Sequence, residues 1–118
     1  MENLIEEQKK ITEKFGIKFF PSNPQSMIGI SKEIKEGIFP IHGLRHTPEG
    51  VGTGWFIWAG DGEIPQDNGT FFSPIHAEHI FQENPLFAKY LGLPPGWRFL
   101  IDDKGYEDVW FDEKLLKS

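Results

Sequence analysis

A chain of 118 residues is long enough for one domain to bury a core of its own, and 11 Phe with 4 Trp supply that core in few, large pieces. The absence of cysteine excludes a disulfide framework, a thiolate nucleophile and a cysteine zinc site, and fits the cytosol. Twelve Lys plus Arg against 18 Asp plus Glu leave a net charge of −6, which repels phosphate backbones and anionic lipid. Nucleic acid and membrane are therefore not expected partners. A basic protein is, although a mildly acidic surface also serves solubility alone.

No apolar run approaches the length that spans a bilayer, and the N-terminus is charged throughout. Neither a signal peptide nor an anchor is expected, and the chain reads as cytoplasmic. Glu2 to Phe15 has helical spacing, with Leu4, Ile11 and Phe15 on one face and Gln8 between them; Gly16 suits the C-terminal cap. Phe19 to Pro24 is a connecting loop. Ser26 to Ile30 reads as a strand, and Ser31 to Gly37 as one helical turn between a Ser N-cap and a Gly stop. Ile38 to Arg45 alternates as a second strand, with Pro40 implying an edge or a bulge. After a turn over His46 to Thr53, the run Gly54-Trp55-Phe56-Ile57-Trp58-Ala59-Gly60 is apolar on both faces. Such a strand is either central and covered on both sides, or it offers aromatic surface to a partner.

Asp61 to Thr70 is the most loop-like tract. Ser73-Pro74 and Asn84-Pro85 each carry the pattern of a helix start, the second helix running to Leu91. Pro94-Pro95-Gly96 then delivers the chain into a hairpin, Trp97 to Ile101 and Val109 to Phe111 around Asp102-Asp103-Lys104-Gly105. This hairpin is expected to be the spine of the sheet, with Trp97, Phe99 and Ile101 on one face and Arg98 and Leu100 on the other. Asp112 to Ser118 is a charged tail that can form a final turn. With no repeat and no linker, the chain reads as a single α+β domain, mostly an antiparallel sheet of about five strands with an N-terminal helix and two short helices.

Candidates for chemistry are sparse. His76 and His79, placed three apart on the helix expected after Ser73, could present two imidazoles to a metal. The zinc-hydrolase pattern instead spaces its histidines four apart with Glu after the first, and here Ala77 follows His76. A third ligand would have to come from His42, His46 or a carboxylate. Asp61, Glu63 and Asp67 gather oxygen donors, but Gln66 and Phe72 stand where a calcium loop needs its Gly and Glu. No serine lies in a nucleophile elbow. Gly50-Val51-Gly52-Thr53-Gly54 leads into a strand, not a helix, and so lacks a phosphate-binding dipole. No cofactor signature is found. Trp55, Trp58, Trp97 and Trp110 are core residues on the ordinary reading; Trp58 and Trp110 point away from Trp55 and Val109, so part of this aromatic surface is available to a protein, a peptide or a carbohydrate.

Two blocks carry a resemblance. The first runs from Ile30-Ser31-Lys32-Glu33-Ile34-Lys35-Glu36-Gly37 through Gly43-Leu44-Arg45 to Gly54-Trp55-Phe56-Ile57-Trp58-Ala59-Gly60-Asp61. The second is Tyr90-Leu91-Gly92-Leu93-Pro94-Pro95-Gly96-Trp97-Arg98-Phe99-Leu100-Ile101 with Tyr106-Glu107-Asp108-Val109-Trp110-Phe111. Together they resemble the thirty-third immunity-protein class of bacterial polymorphic toxin systems and a related domain of unknown function. The likeness runs from about Ile28 onward, making 26–118 an immunity-like core behind an N-terminal helix and loop, 1–25. It implies a non-enzymatic protein that binds and neutralises a cognate toxin, with no catalytic or contact residues to transfer.

The expected contacts are Trp58, Asp61, Glu63 and Asp67, with Glu107, Asp108 and Trp110 from the hairpin, facing a basic toxin surface. A small metal-dependent hydrolase built on His76 and His79, or a carbohydrate- or peptide-binding module using the tryptophans, are the alternatives.

Overall fold

The structure, a computed structural model, describes residues 2–60 and 72–116. Helix α1 (Glu2–Lys14) is followed by β1 (Met27–Ser31), the single turn α2 (Lys32–Lys35), β2 (Ile41–Arg45) and β3 (Gly52–Ala59). Then come β4 (Phe72–His76), α3 (Ala77–Glu83), α4 (Pro85–Ala88), β5 (Trp97–Ile101), β6 (Glu107–Phe111) and a 3-10 turn over Glu113–Leu116. The strands form one six-stranded sheet in the order β4-β1-β3-β2-β5-β6. Only β1 and β3 run parallel; every other neighbouring pair is antiparallel. The class is the α+β expected, with one strand more.

The extra strand corrects a local reading. Ser73-Pro74 does not open a helix: Ser73 pairs with Ile30 and Pro74 with Gly29 in an antiparallel ladder on β1. A proline is tolerated there because β4 is an edge strand. Helix α3 begins at Ala77 behind an extended His76, and its first amides donate to Ser26 and Pro24 carbonyls at 2.8 and 3.0 Å. The helix after Asn84 is a single turn ending at Ala88, short of Leu91. Ser31 does precede α2, but its hydroxyl makes no capping bond.

The hairpin forms around Asp102, whose carboxylate accepts from the Lys104 and Tyr106 amides at 2.8 and 2.9 Å, while Gly105 takes φ 93°. It is not the spine. β6 is an edge, and the central strand is β3, whose apolar residues on both faces suit a position between β1 and β2.

One sheet face is roofed by helices. Ile28, Ile30, Trp55, Ile57, Phe99 and Ile101 point toward that layer and are buried. α1 closes it with Ile11, and buried Gln8 donates to the Ala88 carbonyl at 3.0 Å, tying α1 to α4. After Phe15 the chain turns off the helix through a Schellman pair, Ile17 N–H to Thr12 O and Gly16 N–H to Glu13 O. In β2, Gly43 lies directly under the Phe99 ring, which leaves no room for a Cβ. Phe99 is then held between Tyr90, stacked at 4.9 Å, and Trp55 at 5.6 Å.

Candidate partner-binding surface

The face of the sheet away from the helices carries a different set of side chains. Register places Trp110, Arg98, Leu44, Phe56, Gly29 and Pro74 in one row across it. Beside it lie Asp108, Leu100, His42 and Trp58, also in register. The 3-10 turn folds back onto this face, where Leu115 packs with Leu44 and Trp58. The result is an open aromatic face bordered by the acidic hairpin edge.

The predicted contact residues fare differently there. Trp58 is 4% exposed, stacked on His42 at 4.9 Å and edge-on to Phe72, so it offers a partner almost no surface. Its indole N–H nevertheless has no hydrogen-bond partner among the described residues, and neither does the buried Ser31 hydroxyl. Asp61, Glu63 and Asp67 lie outside the described residues. Asp108 is exposed, and half-buried Trp110 sits on the same face of β6 under the Arg98 guanidinium, 5.3 Å from its ring centre. Arg98 is itself fixed by Asp112 at 3.1 Å.

Glu107 points the other way, toward the helices. It accepts hydrogen bonds from the Lys14 ammonium and the Tyr90 hydroxyl, clasping β6 to α1 and to the turn after α4. Burial pushes its carboxyl up, but the hydrogen bonds from Lys14 and Tyr90 and the charges of Lys14 and Lys89 outweigh this and hold it below the ordinary value of 4.5. The same clasp, after burial itself, pushes the Tyr90 phenol well above its usual range. A carboxylate lowered on folding stabilises the protein above its unfolded value, and that stability is lost as pH falls through the folded value. Glu107→Gln is therefore expected to cost about 1–2 kcal/mol at neutral pH. The gap from wild type should stay constant down to about pH 4.5 and close below it, as followed by urea titration at several pH values. A gap that narrows already between neutral pH and that point would remove the clasp from the acid response.

His76 ends β4 and His79 lies in α3, so they do not share a helix face. Their rings are 6.2 Å apart, both residues are exposed, and His79 faces Glu83 at 3.8 Å. Among the described residues, no group of three or more His, Asp or Glu is gathered as a metal site. His42 lies in β2 and His46 directly after it, where they hydrogen-bond with the Gly60 and Leu115 carbonyls respectively.

Two features escape sequence reasoning. Arg45 is 2% exposed at the end of β2, and among the described residues no carboxylate pairs with it. Its guanidinium donates to the carbonyls of Thr53, Phe20, Leu93 and Pro21, and burial pulls its pKa down to about 10, which still leaves it charged at neutral pH. The other is a pocket of about 450 Å³ on the open face, lined among others by Met27, Gly29, Glu49, Phe56, Leu115 and Leu116. Its residues come from separate strands and a turn, so no contiguous motif announces it.

Architecture and surface together define a small α+β domain with a helical roof over one sheet face and aromatic side chains on the other. A family model described as the Imm33-like domain matches residues 7–112, nearly the whole chain, and the protein belongs to that family. The match starts inside α1, so most of the first helix is part of the family unit, upstream of the Ile28 start read from the motifs. The family name is that of an immunity-protein class. No curated protein and no solved structure matches the chain. Among the described residues, no helix is long and apolar enough to cross a membrane.

Proposed function

We propose that this protein is a cytoplasmic immunity protein that binds a cognate bacterial toxin domain and neutralises it by covering the toxin's basic active site, without catalysis of its own. The observation that carries the reading is membership of the Imm33-like family over residues 7–112. A net charge of −6 supports it, since complementary charge speeds encounter and selects the partner. Asp108 and Trp110 present charge and aromatic surface from one edge of the sheet. Asp61, Glu63 and Asp67, in the acidic tract after β3, supply the second contact, whereas Trp58 is buried and offers a partner almost no surface.

The test is calorimetric titration of the toxin domain encoded beside this chain, with wild-type protein and with Asp61, Glu63 and Asp67 changed to Ala together. The expected result is a complex at low salt that weakens as salt rises, and a further loss of about tenfold or more in the triple variant. Absence of any complex at low salt defeats the reading.

A further inference from the structure

The sheet ends in two edge strands, β4 and β6, whose backbones differ in what they can accept. In β4, Ala77 N–H donates to Ser26 O at 2.8 Å, so the bonded pairs that follow in register are Ile28–Ile75 and Ile30–Ser73. Pro74 therefore faces away from β1 and, having no N–H, interrupts any further ladder. In β6, Asp112 N–H donates to Gly96 O at 2.7 Å and Asp102 N–H to Tyr106 O at 3.3 Å. This makes Arg98–Trp110 and Leu100–Asp108 the bonded pairs with β5. The N–H and C=O groups of Glu107, Val109 and Phe111 then point outward. Among the described residues nothing bonds to them, and β6 has no proline, lysine or bulge to discourage pairing. Tyr106 and Phe111, 50% and 48% exposed, stand at its two ends.

The side chains of β6 select the strand that fits this edge. Glu107 is held by Lys14 and Tyr90 on the roofed side, where Val109 packs on the core. Asp108 and Trp110 lie on the other face, the Trp110 ring under the Arg98 guanidinium. A second copy of β6, antiparallel and centred on Val109, complements all of them. Val109 meets Val109 of the second copy and Glu107 meets its Phe111, so every outward backbone group is bonded. Asp108 falls opposite Trp110, the ring that carries a cation, and along the strand no carboxylate faces another. Centring on Asp108 would oppose the two Asp108 side chains, and centring on Trp110 would oppose Asp108 and Asp112.

We propose that the protein forms a two-fold dimer through β6, with one sheet running through both copies. Because Pro74 blocks the other border, association closes at two. The open faces lie on the same side of the joined sheet, and Asp108 and Trp110 of both copies come together at its centre. The inference is independent of the immunity reading. One short ladder buries little area and the net charge of −6 opposes contact, so dissociation at about 10–100 μM is expected.

Sedimentation velocity of the free protein from about 1 to 500 μM should take it from monomer to dimer. Val109→Pro removes an outward N–H and no bond to β5, so it should keep its thermal melting and weaken the dimer about tenfold or more. If it melts early, Val109→Cys decides instead. The chain has no cysteine, and Cα atoms about 5.5 Å apart across the two-fold permit a disulfide. Mild oxidation at high concentration should link Val109→Cys into dimers but not Leu86→Cys, an exposed position on α4. Amide exchange reads the register: protection at Glu107, Val109 and Phe111 should rise with concentration. A wild type monomeric throughout overturns the proposal, as does a dimer left intact by folded Val109→Pro. A dimer with neither the Val109→Cys link nor added protection at those amides uses another surface and overturns it too.

Discussion

Replacing Arg45 by Leu is expected to cost about 3–5 kcal/mol of folding stability, most of what a domain of this size has to spare. The reason is the number of groups that depend on one side chain. Its Nε donates to Thr53 O at 2.9 Å, one terminal nitrogen to Phe20 O and Leu93 O at 2.9 and 2.8 Å, and the other to Pro21 O at 3.4 Å. The loop after α1, the entry to β3 and the turn before β5 thus meet on one guanidinium. Leucine would fill part of the volume but leave these carbonyls without donors, and those of Thr53 and Leu93 lie in buried bonds that water does not readily replace. It would also remove the cation from over the Phe20 and Trp55 rings. Arg45→Lys keeps the charge but not the planar fork, and should recover less than half of the loss. Denaturant titration of both variants decides the matter; a loss below about 1 kcal/mol for Leu would mean that the carbonyls find other donors.

The second large effect is expected at Gly43. Alanine there should cost about 2–3 kcal/mol although nothing polar changes, because a methyl group would enter the volume of the Phe99 ring. That ring has nowhere to retreat: Tyr90 is stacked at 4.9 Å, Trp55 is tilted at 5.6 Å, and Phe99 itself is fully buried. Phe99→Leu alone opens a partial cavity and should cost about 1–2 kcal/mol. Combined, the two changes are expected to cost at least about 1 kcal/mol less than their sum, since the leucine vacates the space the methyl needs. Strict additivity would show that the close approach is not the source of the strain.

The same contrast between local and distant causes runs through the binding surface. Alternation along β6 was enough to put Asp108 and Trp110 on one face and Val109 on the other, because a strand's side-chain period is a property of its own backbone. Glu107 carries the same acidic character in the sequence, yet it is occupied by Lys14 and Tyr90, partners supplied by α1 and by the turn after α4. Trp58 alternates away from Trp55 as read, but the open face is not bare at that point: His42, Phe72 and Leu115 cover it. Polarity and period are legible residue by residue. Exposure is not, because it depends on what else arrives.

What the sequence by itself determined was everything whose cause lies within about one turn or one strand. That includes the amphipathic first helix with Gln8 and Ile11 inward, the hairpin around Asp102 to Gly105, and the two-faced apolar run that became β3. The tertiary structure alone decided matters settled between distant segments. Ser73-Pro74 carries a sound local signal for a helix, but the ladder offered by β1 outweighs it and makes an edge strand. The hairpin was displaced from the centre of the sheet to its border, since β3 has apolar residues to bury on both sides and β6 does not. The single arginine of β2 became the joint of two loops and the start of β3, and a pocket arose where Met27, Phe56 and Leu115 converge. Local conformation follows from a residue's own backbone preferences and its near neighbours; strand order, burial and cavities follow from which surfaces the whole chain must hide together.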